Sequence, residues 1–337
     1  MKSYSEQPQG KPTRHEAENL KNVSTQASNH FKSRFVGKTR IYWFIGIIAS
    51  LLLMAFVIIY ASDTSETFPV SEYYRYDKAI PLKDSLKLLK DTTDFKLYHV
   101  TYNSVHQQKV TGLLSLPKLG TTPLPVVILM HGLGDNKNVD YVSYGNTLFL
   151  KNGYAVLRID FSGHGERKGD VYDFDLTGKY KYWSRDIISQ TVFDLRRAVD
   201  FIETRKELDA QRIGYYGISL GGITGTVFCG IDDRIKVPIV ALAGGQLNLL
   251  YEKKALAKEA KDFVSIIEPL NFVKRIAPRP LLMLNAENDE IVPPLMSTLL
   301  YKAAEEPKEI IWYDAKHRDA PLDIIFGDGL NWFKKYL

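Results

Sequence analysis

The sequence predicts an α/β domain with a mostly parallel central sheet covered by helices on both faces, carried behind a single N-terminal membrane-spanning helix. Three observations predict it. Apolar runs of strand length alternate with helix-length amphipathic stretches from about residue 95 to the C-terminus, the pattern of strands joined by crossover helices. Short glycine-bearing or polar segments at 131–135, 217–222 and 285–293 each follow such a strand-like run, where functional loops of a parallel sheet lie. Residues 41–60, IYWFIGIIASLLLMAFVIIY, are unbroken apolar sequence. About 20 residues of helix span a hydrocarbon core.

Residues 1–40 are polar, rich in Lys, Asn, Gln and Ser, and lack apolar periodicity, as a disordered cytoplasmic tail would. The membrane anchor is placed at 41–61. Tyr42, Trp43 and Tyr60 suit the interfaces, Lys32, Arg34, Lys38 and Arg40 precede the run, and Asp63 and Glu66 follow it. The positive-inside rule then puts the N-terminus in the cytoplasm and the folded domain outside. A cleaved signal peptide fits poorly, because its charged leader would be about 40 residues and its apolar core exceeds the usual ~7–15. Residues 62–90 read as a stalk that packs on the domain, and 91–337 as the domain itself.

Within the domain, 95–102 alternates in polarity and pairs through a polar turn with 109–116. A buried strand at 126–130, a helix from about 141 to 151 and a strand at 155–160 follow. Ile188, Val192, Leu195, Val199 and Ile202 mark one face of a helix over 186–203. Then come a strand near Ile213, a helix after Ser219, and strands at 237–243, near Leu281 and near Ile310. A closing helix turns Ile324, Ile325, Leu330 and Phe333 inward. Two insertions, 162–184 with Tyr172, Phe174, Tyr180, Tyr182 and Trp183, and 246–271 with Leu249, Leu250, Tyr251, Phe263 and Ile267, are placed to line a compact pocket.

The chemistry centres on Gly217-Ile218-Ser219-Leu220-Gly221. A serine at a tight strand-to-helix turn presents its hydroxyl from a strained backbone, and the flanking glycines avoid collision with the crossing strand and helix. A serine hydroxyl needs a base, and the base needs an orienting acid. Asp289 follows the Leu281 strand and His317 follows the Ile310 strand; no other histidine lies C-terminal to Ser219. Glu287 and Asp314 are alternatives for the acid. The loop His131-Gly132-Leu133-Gly134-Asp135 lets backbone N–H groups approach a substrate carbonyl. The N–H groups of Leu133 and Leu220 are the expected oxyanion donors, the latter at a helix N-terminus. His131 is read as a structural member of that loop and His164 as a turn organiser.

The chain resembles the α/β-hydrolase superfamily, in the dienelactone-hydrolase and prolyl-oligopeptidase-like esterase branch. HGLGD at 131–135, RIDFSGHGER at 158–167, GISLGG at 217–222, APRPLLMLNAENDEIVPP at 277–294 and KHR at 316–318 carry the resemblance, which covers roughly 95–337. It implies the α/β-hydrolase fold and a serine hydrolase cleaving carboxylic esters through an acyl-enzyme, with nucleophile, acid and base at Ser219, Asp289 and His317. The branch usually has a small residue before the base, and here Lys316 stands there. Peptidase and thioesterase activities are the alternatives within enzymes. A catalytically silent, membrane-tethered binding module is the alternative outside them.

Composition narrows the partners. With 44 Lys and Arg against 39 Asp and Glu the formal charge is +5, and no basic stripe is interleaved with aromatics, so no nucleic-acid partner is expected. The histidines are not spaced as ligands on one element, so neither metal nor cofactor is expected. A small ester or acyl compound is the expected substrate. Cys229 stands alone in apolar sequence, as a buried small hydrophobe would. The sole N-x-S/T sequon is Asn22-Val23-Ser24, in the tail, which favours a bacterial envelope over a eukaryotic secretory route.

Overall fold

The computed structural model describes residues 69–120, 122–168 and 173–337, the side chains of 252 and 253 excepted. The expected tail, the apolar run at 41–60 and the first part of the expected stalk lie outside the described residues. Among the described residues, no helix is long and apolar enough to cross a membrane.

Nine strands among the described residues form one sheet: β1 (Ser85–Asp91), β2 (Phe95–Asn103), β3 (Lys109–Pro117), β4 (Leu124–Met130), β5 (Ala155–Ile159), β6 (Leu208–Ile218), β7 (Ile235–Ala241), β8 (Leu281–Ala286) and β9 (Lys308–Tyr313). Their order is β1-β2-β3-β5-β4-β6-β7-β8-β9. The first three strands are antiparallel, β3 meets β5 antiparallel, and β4 to β9 run parallel. The helices are α1 (Asp140–Lys151), α2 (Lys181–Glu203), α3 (Leu220–Ile231), α4 (Lys258–Val264), α5 (Pro294–Ala303) and α6 (Leu322–Tyr336).

Strand alternation sorts the core into two layers, because successive side chains leave a strand on opposite faces. Val126, Ile128 and Met130 pack with Ile188, Val192, Val227 and Met296 of α2, α3 and α5. Val127 and Leu129 pack with Val142, Phe149, Ile325 and Phe333 of α1 and α6. The sheet is thus covered on both faces, as expected. Strand β5 lies on one side of β4 while β6 lies on the other, so the strand order reverses at β4. The crevice beyond such a reversal, at the C-terminal strand ends, is where open α/β sheets bind ligands. Register keeps those ends level: Met130 pairs with Gly217, Ile218 with Ala241, Ala241 with Leu284, and Leu284 with Ile311.

Three boundaries and the facing of one residue differ from expectation. Residues 85–90, expected in the stalk, form with Asp91 the edge strand β1, whose Leu88 and Leu89 are exposed. An edge strand held by backbone pairing needs no alternating apolar face, so its pattern does not announce it. In the segment expected as a stalk, Tyr74 is buried and its hydroxyl donates to the Ile266 carbonyl at 2.7 Å. Helix α2 begins at Lys181, five residues before the expected start, and β6 begins at Leu208, which pairs with Leu124. Ile324 is 52% exposed while Ile325 is 2% exposed. Adjacent helical residues diverge by ~100°, and the inward stripe runs through Ile325, Phe326, Leu330 and Phe333.

Candidate active site

Ser219 sits between β6 and α3 at φ 56°, ψ −117°, a conformation that costs of order 1–3 kcal/mol for a non-glycine residue. The surroundings enforce it. Its N–H donates to the Ala241 carbonyl at 2.8 Å on the neighbouring strand. A Cβ at Gly217 would lie 2.3 Å from the Gly221 carbonyl oxygen, and one at Gly221 would lie 2.8 Å from that of His131. The two glycines therefore let β4, β6 and α3 converge beneath the serine.

Residues distant in sequence meet at this hydroxyl. The His317 Nε2 lies 3.0 Å from Ser219 Oγ, and its Nδ1 lies 2.6 Å from Asp289 Oδ2. The other Asp289 oxygen accepts the N–H groups of Ile291 at 2.9 Å and Val292 at 2.7 Å. With that oxygen occupied and the carboxylate buried, the remaining oxygen faces the imidazole and holds its proton on Nδ1. Nε2 is then the acceptor for the serine proton. The alternative acids are placed elsewhere: Asp314 accepts the Asn288 side-chain amide at 2.9 Å, and Glu287 is exposed. Glu290 receives the His317 backbone N–H at 3.3 Å.

The loop after β4 lies opposite. Gly132 donates its N–H to the Tyr141 hydroxyl at 2.7 Å, and that hydroxyl donates to Asp135 at 2.7 Å. Gly134 donates to His164 Nε2 at 3.1 Å, and His164 Nδ1 then donates to the Ser162 carbonyl at 3.0 Å. His164 thus organises its own turn, as expected, and reaches the neighbouring loop. The base of the loop is pinned by the buried Lys137, which pairs with Asp160 and with Glu166. Leu133 N–H has no acceptor among the described residues, and Leu220 N–H opens α3, where helical N–H groups lack intrahelical partners. Burial pushes the His131 imidazole down to about 4, so it is neutral at ordinary pH. Burial likewise pushes the Tyr141 phenol up, keeping it a hydroxyl.

These groups open on a pocket of about 320 Å³ walled by Ile218, Leu242, Ile291 and Leu322, with Ser219 and His317 on it. Of the aromatic insertion, Phe174 and Trp183 line an adjoining cleft of about 590 Å³ that shares Leu133 and Asp135 with the pocket. Tyr172 lies outside the described residues. The second insertion is helical, as expected, but among the described residues it does not line the Ser219 pocket; its buried Glu268 instead ties the N–H groups of Gln246 and Leu247. Tyr141, Lys137 and Leu242 went unpredicted. Their importance depends on groups that the fold brings near from distant parts of the chain, and no local pattern encodes that. Cys229 is fully buried, and burial pushes its thiol up. Among the described residues no cluster of three or more His, Cys, Asp or Glu could hold a metal ion.

Comparison with known proteins bears on the fold. Residues 75–242 match the family described as acetyl xylan esterase (AXE1). The Bacillus subtilis protein YtaP is 28% identical over 213 residues, covering 55% of this chain and 67% of its own. The acetyl esterase Axe7A of Xylanibacter ruminicola is 23% identical over 252 residues, covering 66% and 56%. The chain spans about half to two-thirds of the length of most curated relatives it matches. Among solved structures, the acetyl xylan esterase from Paenibacillus sp. R4 superposes with a TM-score of 0.65 at 23% identity, over 80% of this chain and 91% of that one.

Proposed function

We propose that this ester-hydrolysing member of the α/β-hydrolase superfamily is a serine hydrolase that cleaves short-chain carboxylic esters through Ser219, His317 and Asp289. The observation that carries the reading is the continuous hydrogen-bonded line from Ser219 Oγ through the His317 ring to Asp289. The compact pocket and the likeness to acetyl esterases support a short acyl group.

Ser219 Oγ attacks the ester carbonyl carbon while His317 Nε2 takes its proton. Asp289 keeps the ring oriented and stabilises it when charged. The carbonyl oxygen, now negative, is received by the N–H groups of Leu133 and Leu220, the latter aided by the N-terminus of α3. Collapse of the intermediate expels the alcohol with the proton from His317. His317 then activates water to hydrolyse the acyl-enzyme and regenerate Ser219.

The wild-type chain is expected to react with a fluorophosphonate probe at Ser219 and to hydrolyse p-nitrophenyl acetate, with rates falling as the acyl chain lengthens. Ser219→Ala is expected to lose both reactions and keep its circular dichroism spectrum. Undiminished hydrolysis by that variant rejects the assignment. Absence of labelling in the wild type favours a silent binding module, and preference for aminoacyl anilides or thioesters moves the activity to those bonds.

We also propose that residues 41–60 tether the enzyme to a bacterial envelope membrane, with the N-terminus cytoplasmic and the hydrolase on the outer face. The length of the apolar run and the charge asymmetry around it support this.

A further inference from the structure

We infer that His131 is a positioning residue that holds the Gly132–Leu133 peptide in the one orientation that presents the Leu133 N–H to the substrate. The inference rests on the serine hydrolase reading above. Its starting point is a short contact, His131 Nδ1 to the Gly132 carbonyl oxygen at 2.7 Å, fully buried.

The ring's proton placement follows from its other nitrogen. Phe161 N–H lies 3.2 Å from His131 Nε2, and a backbone N–H can only donate. Nε2 therefore carries the lone pair, Nδ1 carries the hydrogen, and that hydrogen points at the Gly132 oxygen. In a planar trans peptide the carbonyl and the following N–H point in opposite directions. Fixing the Gly132 oxygen against the buried ring therefore sends the Leu133 N–H the other way, toward the side where Leu133 and Ser219 share a pocket wall.

This peptide needs holding. Gly132 supplies one of its two hinge bonds and has no Cβ, so the chain on that side resists its rotation little. A rotated peptide would aim a carbonyl at the developing oxyanion and withdraw the donor. Tyr141 secures the preceding unit by accepting the Gly132 N–H, which also removes that N–H as a competing donor. The ring itself packs on Phe161 and His164 and is not among the residues lining the Ser219 pocket.

Three variants separate positioning from bulk support. His131→Ala removes both bonds. His131→Asn keeps a donor near the Nδ1 position but abandons Phe161. His131→Gln offers an acceptor near the Nε2 position but no donor to Gly132. With p-nitrophenyl acetate, His131→Ala is expected to lose kcat by about 10²-fold, the size of one lost oxyanion donor, with KM little changed. A trifluoromethyl ketone, whose hemiketal oxygen occupies the same hole, is expected to bind His131→Ala more weakly by a similar factor. His131→Asn should recover most of kcat and of the ketone affinity, and His131→Gln should recover neither, even where its thermal melt is the higher of the two. Recovery by Gln equal to or better than Asn, a loss confined to KM, or unchanged ketone affinity overturns the proposal. Asn and Gln both leave the site polar and partly filled, so their comparison stands if His131→Ala does not fold. Fluorophosphonate labelling of the wild type separates the failures: no labelling removes the serine reading and this inference together, while labelling with rescue by Gln removes this inference alone.

Discussion

Ser219 holds a backbone conformation that most residues avoid, and three contacts distribute the strain. The Ala241 carbonyl fixes its N–H, Gly217 and Gly221 admit the neighbouring chains, and α3 begins at the next residue. The imidazole beside it is oriented by one carboxylate whose second oxygen is already occupied by two backbone N–H groups. That arrangement argues for a sharp effect of Asp289→Asn. With its carbonyl oxygen kept on Ile291 and Val292, the amide nitrogen would face His317 Nδ1 and drive the ring hydrogen to Nε2, where it cannot accept the serine proton. The expected result is a fall in kcat of about 10³–10⁴ with a nearly unchanged melting temperature. Kinetics and a thermal melt on the same preparation check it, and a loss below about tenfold would show that another group orients the ring. Ser219, Asp289 and His317 were legible because each sits in a local pattern: a glycine-flanked turn, or a polar residue just past an apolar strand. His131 and Tyr141 were not legible in these terms, since their effect depends on one carbonyl and one N–H brought near by the fold.

At the scale of elements, legibility followed burial. Strand β8, β4 from Val126, β6 from Ile213 and β7 from Val237 are buried on both faces and read as apolar runs, the mark of central parallel strands. Strand β1 escaped because it lies at an edge with its leucines exposed, and its lysines serve solubility rather than packing. Helix α6 shows the resolution of such readings: the right helix was found, but one of two adjacent isoleucines was turned the wrong way. The pair makes a direct test. Ile325→Ala opens space against Phe149, Phe333 and the face of the sheet and is expected to cost about 2–5 kcal/mol. Ile324→Ala is expected to stay within about 0.5 kcal/mol. Urea titrations of the two variants decide it, and equal costs would mean that α6 is rotated from the orientation described.

For the whole molecule, the residues from Phe68 to Leu337 form one compact unit. Its N-terminal end is secured far from where it starts in sequence. Tyr74 reaches the Ile266 carbonyl and packs on Phe193 and Phe272, Arg197 donates to the Ile80 carbonyl at 2.6 Å, and the Tyr76 hydroxyl meets Asp200. Among the described residues, Val70, Tyr74 and Tyr76 thus already pack on the core. The two parts of the proposal are tested apart. A chain beginning at residue 62 is expected to remain in the supernatant after high-speed centrifugation, with kcat/KM on p-nitrophenyl acetate equal to that of the full-length enzyme in detergent. The full-length chain is expected to sediment with membranes and resist alkaline carbonate, because a span of about 20 apolar residues leaves the bilayer only when the bilayer is dissolved. Protease added outside intact cells should reach the hydrolase and leave residues 1–40 protected, as the charge asymmetry requires. Full-length protein released by carbonate would reduce the apolar run to a peripheral contact. An inactive but soluble shortened chain would instead mean that residues before 62 contribute to the active site.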